Sequence, residues 1–164
     1  MNQTKLRQMW NRKRKLVIVL MIAIVVGLFL AWHIHTLFEP IPWGYVGKEE
    51  HFDPYGWQDY TDYCKYRYWS VIPFQLDARY HIVSEDEITN IIDYFDNFMS
   101  WMRASDRLDE YDFDPACINA GDYIHIDTKE GEPIGQRHYG RYECYTLCFF
   151  DRETRTLYYI HNNT

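Results

Sequence analysis

Residues 16–38 carry no charged side chain. A helix of that length, at about 1.5 Å per residue, covers the roughly 30 Å hydrocarbon core of a bilayer, so the pattern predicts one membrane-spanning helix. Beyond it the apolar residues fall into short, patterned runs. From Phe74 to Val83 they alternate, with Phe74, Leu76, Ala78, Tyr80 and Ile82 facing one way and Gln75, Asp77, Arg79 and His81 the other. That period predicts a strand buried on one side. Ile88, Ile91, Ile92, Phe95, Phe98 and Met102 then step by three and four, an apolar helical stripe ending near Arg103. Ser84 and Glu87 have capping-box spacing ahead of it, and Glu85 and Asp86 suit the positive end of a helix dipole.

A polar, Asp-rich connection over 105–121 precedes three expected strands: Asp122–Thr128, about Tyr139–Phe150, and Thr156–His161. Gly131, Glu132 and Pro133 turn the chain after the first, and the polar Asp151–Arg155 segment suits a hairpin loop on a type I turn. Strand, helix, then three strands predicts an α+β ectodomain. Its expected form is an antiparallel sheet of about four strands with one main helix packed on one face, behind a single transmembrane helix.

Between helix and domain, residues 39–70 read as an aromatic-rich neck. Pro40, Pro42, Pro54, Gly44, Gly47 and Gly56 oppose any long regular element. Yet Trp43, Tyr45, Phe52, Tyr55, Trp57, Tyr60, Tyr63, Tyr66, Tyr68 and Trp69 make this stretch too aromatic for a disordered linker. A short helix around 57–66 fits the spacing of Trp57, Tyr60 and Cys64. The expected organisation is therefore a basic tail over 1–15, the span over 16–38, the neck over 39–70 and the folded domain over 71–164.

Charge sets the orientation. Lys5, Arg7, Arg12, Lys13, Arg14 and Lys15 precede the span, while all 24 acidic residues follow it, giving the ectodomain 11 − 24 = −13. Positive residues stay on the cytoplasmic side, so the N-terminus is expected inside and the C-terminal domain outside. No small-x-small cleavage site follows the apolar run, which favours a retained signal-anchor over a cleaved signal peptide. So acidic an ectodomain repels phosphate backbones, which argues against nucleic acid as a partner. Within the span Ala23, Gly27 and Ala31 recur every four residues, a spacing that lets helices approach closely and would serve a homodimer or a partner helix. Alanine and glycine are also ordinary in membrane helices.

All four cysteines, Cys64, Cys117, Cys144 and Cys148, follow the span. An even number in an oxidising exterior suggests two disulfides. If Cys144 and Cys148 share a strand they lie about 13 Å apart and cannot bond each other. The alternative is four reduced cysteines acting as small apolar residues. No zinc or calcium ligand spacing is present, no metal or cofactor is expected, and no P-loop, GxSxG or cysteine-protease motif appears. The reading leans away from an enzyme. The leading expectation is a membrane-integral, extracytoplasmic binding module that engages a membrane or surface protein through Trp43, Tyr55, Trp57, Tyr60, Tyr63, Tyr66 and Trp69. One alternative is an envelope glycan-binding or glycan-hydrolysing domain, since tyrosine and tryptophan make stacking platforms with polar tips. Another is a pH- or metal-responsive sensor subunit, given His81, His125, His138 and His161.

Overall fold

A computed structural model describes residues 3–38, 40–53, 60–128, 134–137 and 142–163, with side chains over 13–31 of the first helix. The chain forms two compact units, Met1–Glu39 and Pro40–Thr164. The first is helix α1, Gln3–Phe38. Its stretch Lys13–Ala31 has a mean hydropathy of 2.5 and is long and apolar enough to cross a membrane.

The second unit is one six-stranded antiparallel sheet in the order β1-β2-β6-β5-β4-β3. The strands are β1 Tyr45–His51, β2 Tyr60–Tyr68, β3 His81–Ile82, β4 Tyr123–Thr128, β5 Tyr145–Asp151 and β6 Thr156–Asn163. Helices α2 (Ile72–Leu76) and α3 (Ile88–Ala104) accompany it. The sheet thus has six strands rather than about four, because the segment expected as a neck supplies two. Gly47 sits where the β1–β2 register shifts, a bulge that admits glycine into a strand. Tyr60–Tyr68 is a strand, not the tail of a helix over 57–66; positions 57–59 lie outside the described residues. As a central strand it buries both its faces, Tyr63 on one and Cys64, Tyr66 and Tyr68 on the other. That double burial removes the simple alternation by which a strand is recognised.

The alternating run Phe74–Val83 is not a strand. Pro73 stands at the first turn of α2, where its missing N–H costs nothing, and Asp77 then folds the chain by accepting from the Arg79 backbone N–H at 3.1 Å. Only His81 and Ile82 reach the sheet, against Ile124 and Tyr123. Helix α3 follows its apolar stripe, burying Ile91, Tyr94, Phe95, Phe98 and Met102. Of the capping box only the backward half forms: the Glu87 carboxylate accepts from both the N–H (2.9 Å) and the hydroxyl (2.6 Å) of Ser84. The β5–β6 hairpin turns through 152–155, with Asp151 Oδ1 accepting from the N–H groups of Glu153 and Thr154 and Arg155 at φ 57°.

Two cores result. Helix α3 packs with Phe113, Ile118, Tyr142, Tyr145, Leu147, Phe149 and Ile160 on one face. On the other, Phe74 of α2 closes over Tyr66, Tyr68, Tyr80, Tyr123, Phe150 and Leu157. Phe74 stacks on Phe150 with centroids 3.7 Å apart and meets Tyr68 edge-on at 4.8 Å.

The expected disulfides are absent: none of the four cysteines is disulfide-bonded. Register explains why. Cys64 and Cys148 both pair with Tyr159, one from each side, so two strand spacings, about 10 Å, separate them. A disulfide needs Cα atoms within about 7 Å. Cys117 packs on the α3 face, opposite Cys64 and Cys148. Cys144 lies beside Asn163 (Sγ to Oδ1, 3.3 Å), four residues along β6 from the partner of Cys64. It is also at the far end of β5 from Asp151, whose charge Cys117 feels.

Candidate functional site

The sheet face opposite α3 is built in transverse rows, each crossing β2, β6, β5 and β4. The row under α2 is Tyr66, Leu157, Phe150 and Tyr123. Next comes Cys64, Tyr159, Cys148 and His125, then Asp62, His161, Thr146 and Asp127. Strand alternation places the first and third rows about 13 Å apart, so the face passes from apolar to polar over four residues.

His161 is the centre of the polar row. Its Nδ1 lies 2.7 Å from Thr146 Oγ1 and its Nε2 lies 3.1 Å from the Tyr60 hydroxyl. Both hydroxyls can donate or accept, so they satisfy a neutral imidazole in either tautomer. Burial pulls the His161 pKa below its usual value, while the charges of Asp62 and Asp127 pull the other way. Burial raises the Asp62 carboxyl despite the bond it accepts from the Asp53 N–H at 2.9 Å. In the neighbouring row His125 is likewise lowered, by burial and then by Arg79. Asp77 holds that guanidinium through Nε (3.0 Å) and Nη2 (2.7 Å).

Beside the polar row opens a cleft of about 200 Å³ lined by Asp127, Thr128, Cys144, Tyr145, Thr146, His161 and Asn163. Asp127 is exposed at its margin. Its lining is more apolar than polar, but it includes the Asp127 carboxylate, the Asn163 amide and the Thr128 and Thr146 hydroxyls, whose oxygens can accept from a cationic or hydrogen-bond-donating group. Among the described residues no three or more His, Cys, Asp or Glu side chains converge as metal ligands. Burial pushes the Cys64 thiol up to about 11 and the Cys148 thiol up to about 12, so neither is a ready thiolate. A second cleft, about 330 Å³, lies between β1 and β2 on the α3 side. There Lys65 is shared by Glu49 (2.9 Å) and Asp112 (2.7 Å), and the Tyr63 hydroxyl donates to Asp112 at 2.7 Å, so the charges largely cancel within the cleft.

The aromatic residues singled out in the neck separate. Tyr63 and Tyr66 are core side chains, 0% and 3% exposed, and cannot meet a partner. Tyr60 is half-buried against the His161 ring at 5.1 Å. Trp43 and Trp69 stand exposed. Tyr55 and Trp57 lie outside the described residues, as does His138. Ala23, Gly27 and Ala31 are exposed along α1, and a methyl added at Gly27 would meet nothing within 4 Å. His81 pairs with Glu87 at 2.8 Å. Residue reading missed Asp62, Thr146, Asn163 and the role of Asp127, although Tyr159, His161 and Asn163 at alternate positions of the last strand were a signal. Comparison with family models, with curated proteins and with solved structures finds no match.

Proposed function

We propose that the protein is a single-pass membrane protein with its basic N-terminus in the cytoplasm. The folded unit is then a binding module on the outer side that engages a basic segment of a membrane or surface protein. The observation that carries this reading is the row Asp62–His161–Thr146–Asp127 beside a cleft with the exposed Asp127 carboxylate at its margin. Such a row, on a unit whose net charge is strongly negative, offers a Lys or Arg side chain complementary charge and several acceptors. Six basic residues before the apolar helix support the orientation.

The test is crosslinking in native membranes followed by affinity purification of the full chain, against the Asp127→Lys variant. Asp127 is exposed, so the charge reversal leaves the core intact. A protein recovered with the native chain, and about tenfold less with Asp127→Lys, supports the reading. Equal recovery with both, or recovery of a polysaccharide in place of a protein, refutes it.

A further inference from the structure

At the other end of the sheet from the polar row, four large apolar side chains stand exposed: Trp69 at 75%, Leu76 at 63%, Ile72 at 55% and Trp43 at 50%. They form one rim by construction. Tyr45 pairs with Tyr68, so Trp43 and Trp69 flank the same ends of β1 and β2. Helix α2 is pinned over Tyr68 and Phe150 by Phe74, which leaves Ile72 and Leu76 facing out. The Arg155 guanidinium donates to the Trp69 carbonyl at 2.8 Å, adding the β5–β6 loop to the same rim.

We propose that this rim rests in the interfacial layer of the bilayer that the anchor crosses, an inference that rests on the anchor reading above. Three observations select a lipid surface as the occupant. Tryptophan beside aliphatic side chains is the composition of interfacial anchors. Charge is the second: Arg67, Arg152 and Arg155, which form no ion pair among the described residues, belong to this end of an otherwise acidic unit, while Arg103, also without one, lies beside Met102 toward the other end. Guanidinium groups beside exposed tryptophan suit headgroup phosphates, against which the Glu153 carboxylate in the same loop counts. The third is the tether. The Pro40 carbonyl accepts from the Tyr80 hydroxyl at 2.8 Å and the Pro42 carbonyl from the Tyr68 hydroxyl at 2.6 Å, so the chain is bound to the folded unit from Pro40 on. Chain entry at Pro40, the apolar side chains and these three arginines share one end.

The experiment uses the full chain in phosphatidylcholine–phosphatidylserine vesicles, with and without bromine on the upper acyl carbons. The emission of Trp69 is taken as the difference between the native chain and Trp69→Phe, a change at an exposed position that spares the fold. Trp101 is the control: it adjoins Met102, whose sulfur meets Thr61 at the polar end of β2. The expected result is that bromine removes about half or more of the Trp69 emission, since interfacial side chains reach the acyl boundary. The Trp101 difference stays unchanged, and Arg155→Glu weakens the Trp69 quenching. Equal Trp69 emission in both vesicles, or equal quenching of Trp69 and Trp101, overturns the proposal while leaving the anchor reading standing. A chain that fails to stay with the vesicles overturns both.

Discussion

Replacing Phe74 by alanine should detach α2 while leaving the α3 side of the domain intact. Phe74 is 1% exposed and is the one fully buried residue of this five-residue helix. It stacks on Phe150 at 3.7 Å and meets Tyr68 and Tyr80 edge-on at 4.8 and 5.1 Å. Phe→Ala in a core costs about 3–5 kcal/mol. A segment this short can swing away instead of holding a cavity open, so the lower end, about 3 kcal/mol, is expected. That corresponds to about a 100-fold rise in local opening. Hydrogen exchange read by mass spectrometry on the full chain would show it: peptides spanning 70–80 lose protection by that factor, and peptides from α3 keep theirs. Phe74→Leu should retain most of the protection. If the 70–80 amides are unaffected, or α3 loses protection equally, the description of α2 as a lid held by one aromatic ring is wrong.

Acidification should weaken the domain through its two half-buried histidines. Burial depresses His125 and His161, so the unfolded chain takes up protons first; their contribution is full above about pH 6.5 and is lost as pH falls toward the lower folded values. Asp62 and Asp122, both raised chiefly by burial, act with the opposite sign, which makes His125→Gln/His161→Gln the comparison that isolates the histidines. Urea midpoints should fall on going from about pH 7.5 to about 5.5, and the slope should flatten in His125→Gln/His161→Gln; a midpoint constant across the window refutes the assignment. The thiols of Cys64, Cys117 and Cys148, pushed up to about 11, 12 and 12 chiefly by burial, should resist alkylation at neutral pH until the chain is unfolded. An intact mass lower by two hydrogens per bridge would show disulfides instead and contradict the fold's register. Asp122→Ala should cost about 2 kcal/mol, because the buried carboxylate accepts from the N–H of Arg152 at 3.1 Å and of Asn119 at 2.9 Å. Chemical denaturation of the full chain would measure it, and a loss within error of zero would refute that role.

What could be read in the residues follows from how local each signal is. The α3 stripe and the alternation of Ile124 and Ile126 with His125 and Asp127 in β4 are set within a dozen residues, so periodicity finds them. Strand β6, which buries Leu157 on one face and Ile160 on the other, is marked by its strand-forming residues rather than by alternation. Strand β2 has apolar residues on both faces and β1 carries Lys48, Glu49 and Glu50 along an exposed edge, so neither has the half-buried pattern of a strand. The run from Phe74 failed differently: its alternation is real, but Pro73 and the Asp77–Arg79 turn act at shorter range and prevail. Disulfide pairing and the polar row both depend on register between distant segments. Asp62, Asp127, Thr146 and His161 become neighbours only when four strands align, and no spacing along the chain records it.

The most direct test of the account is the side of the membrane on which the folded unit lies. A short epitope after Thr164 in the full chain, probed with a membrane-impermeant label on sealed cells, reads it in one step. The account predicts labelling before permeabilisation, with an N-terminal epitope labelled only afterwards. The reverse pattern, or a soluble chain trimmed before residue 40, would contradict it.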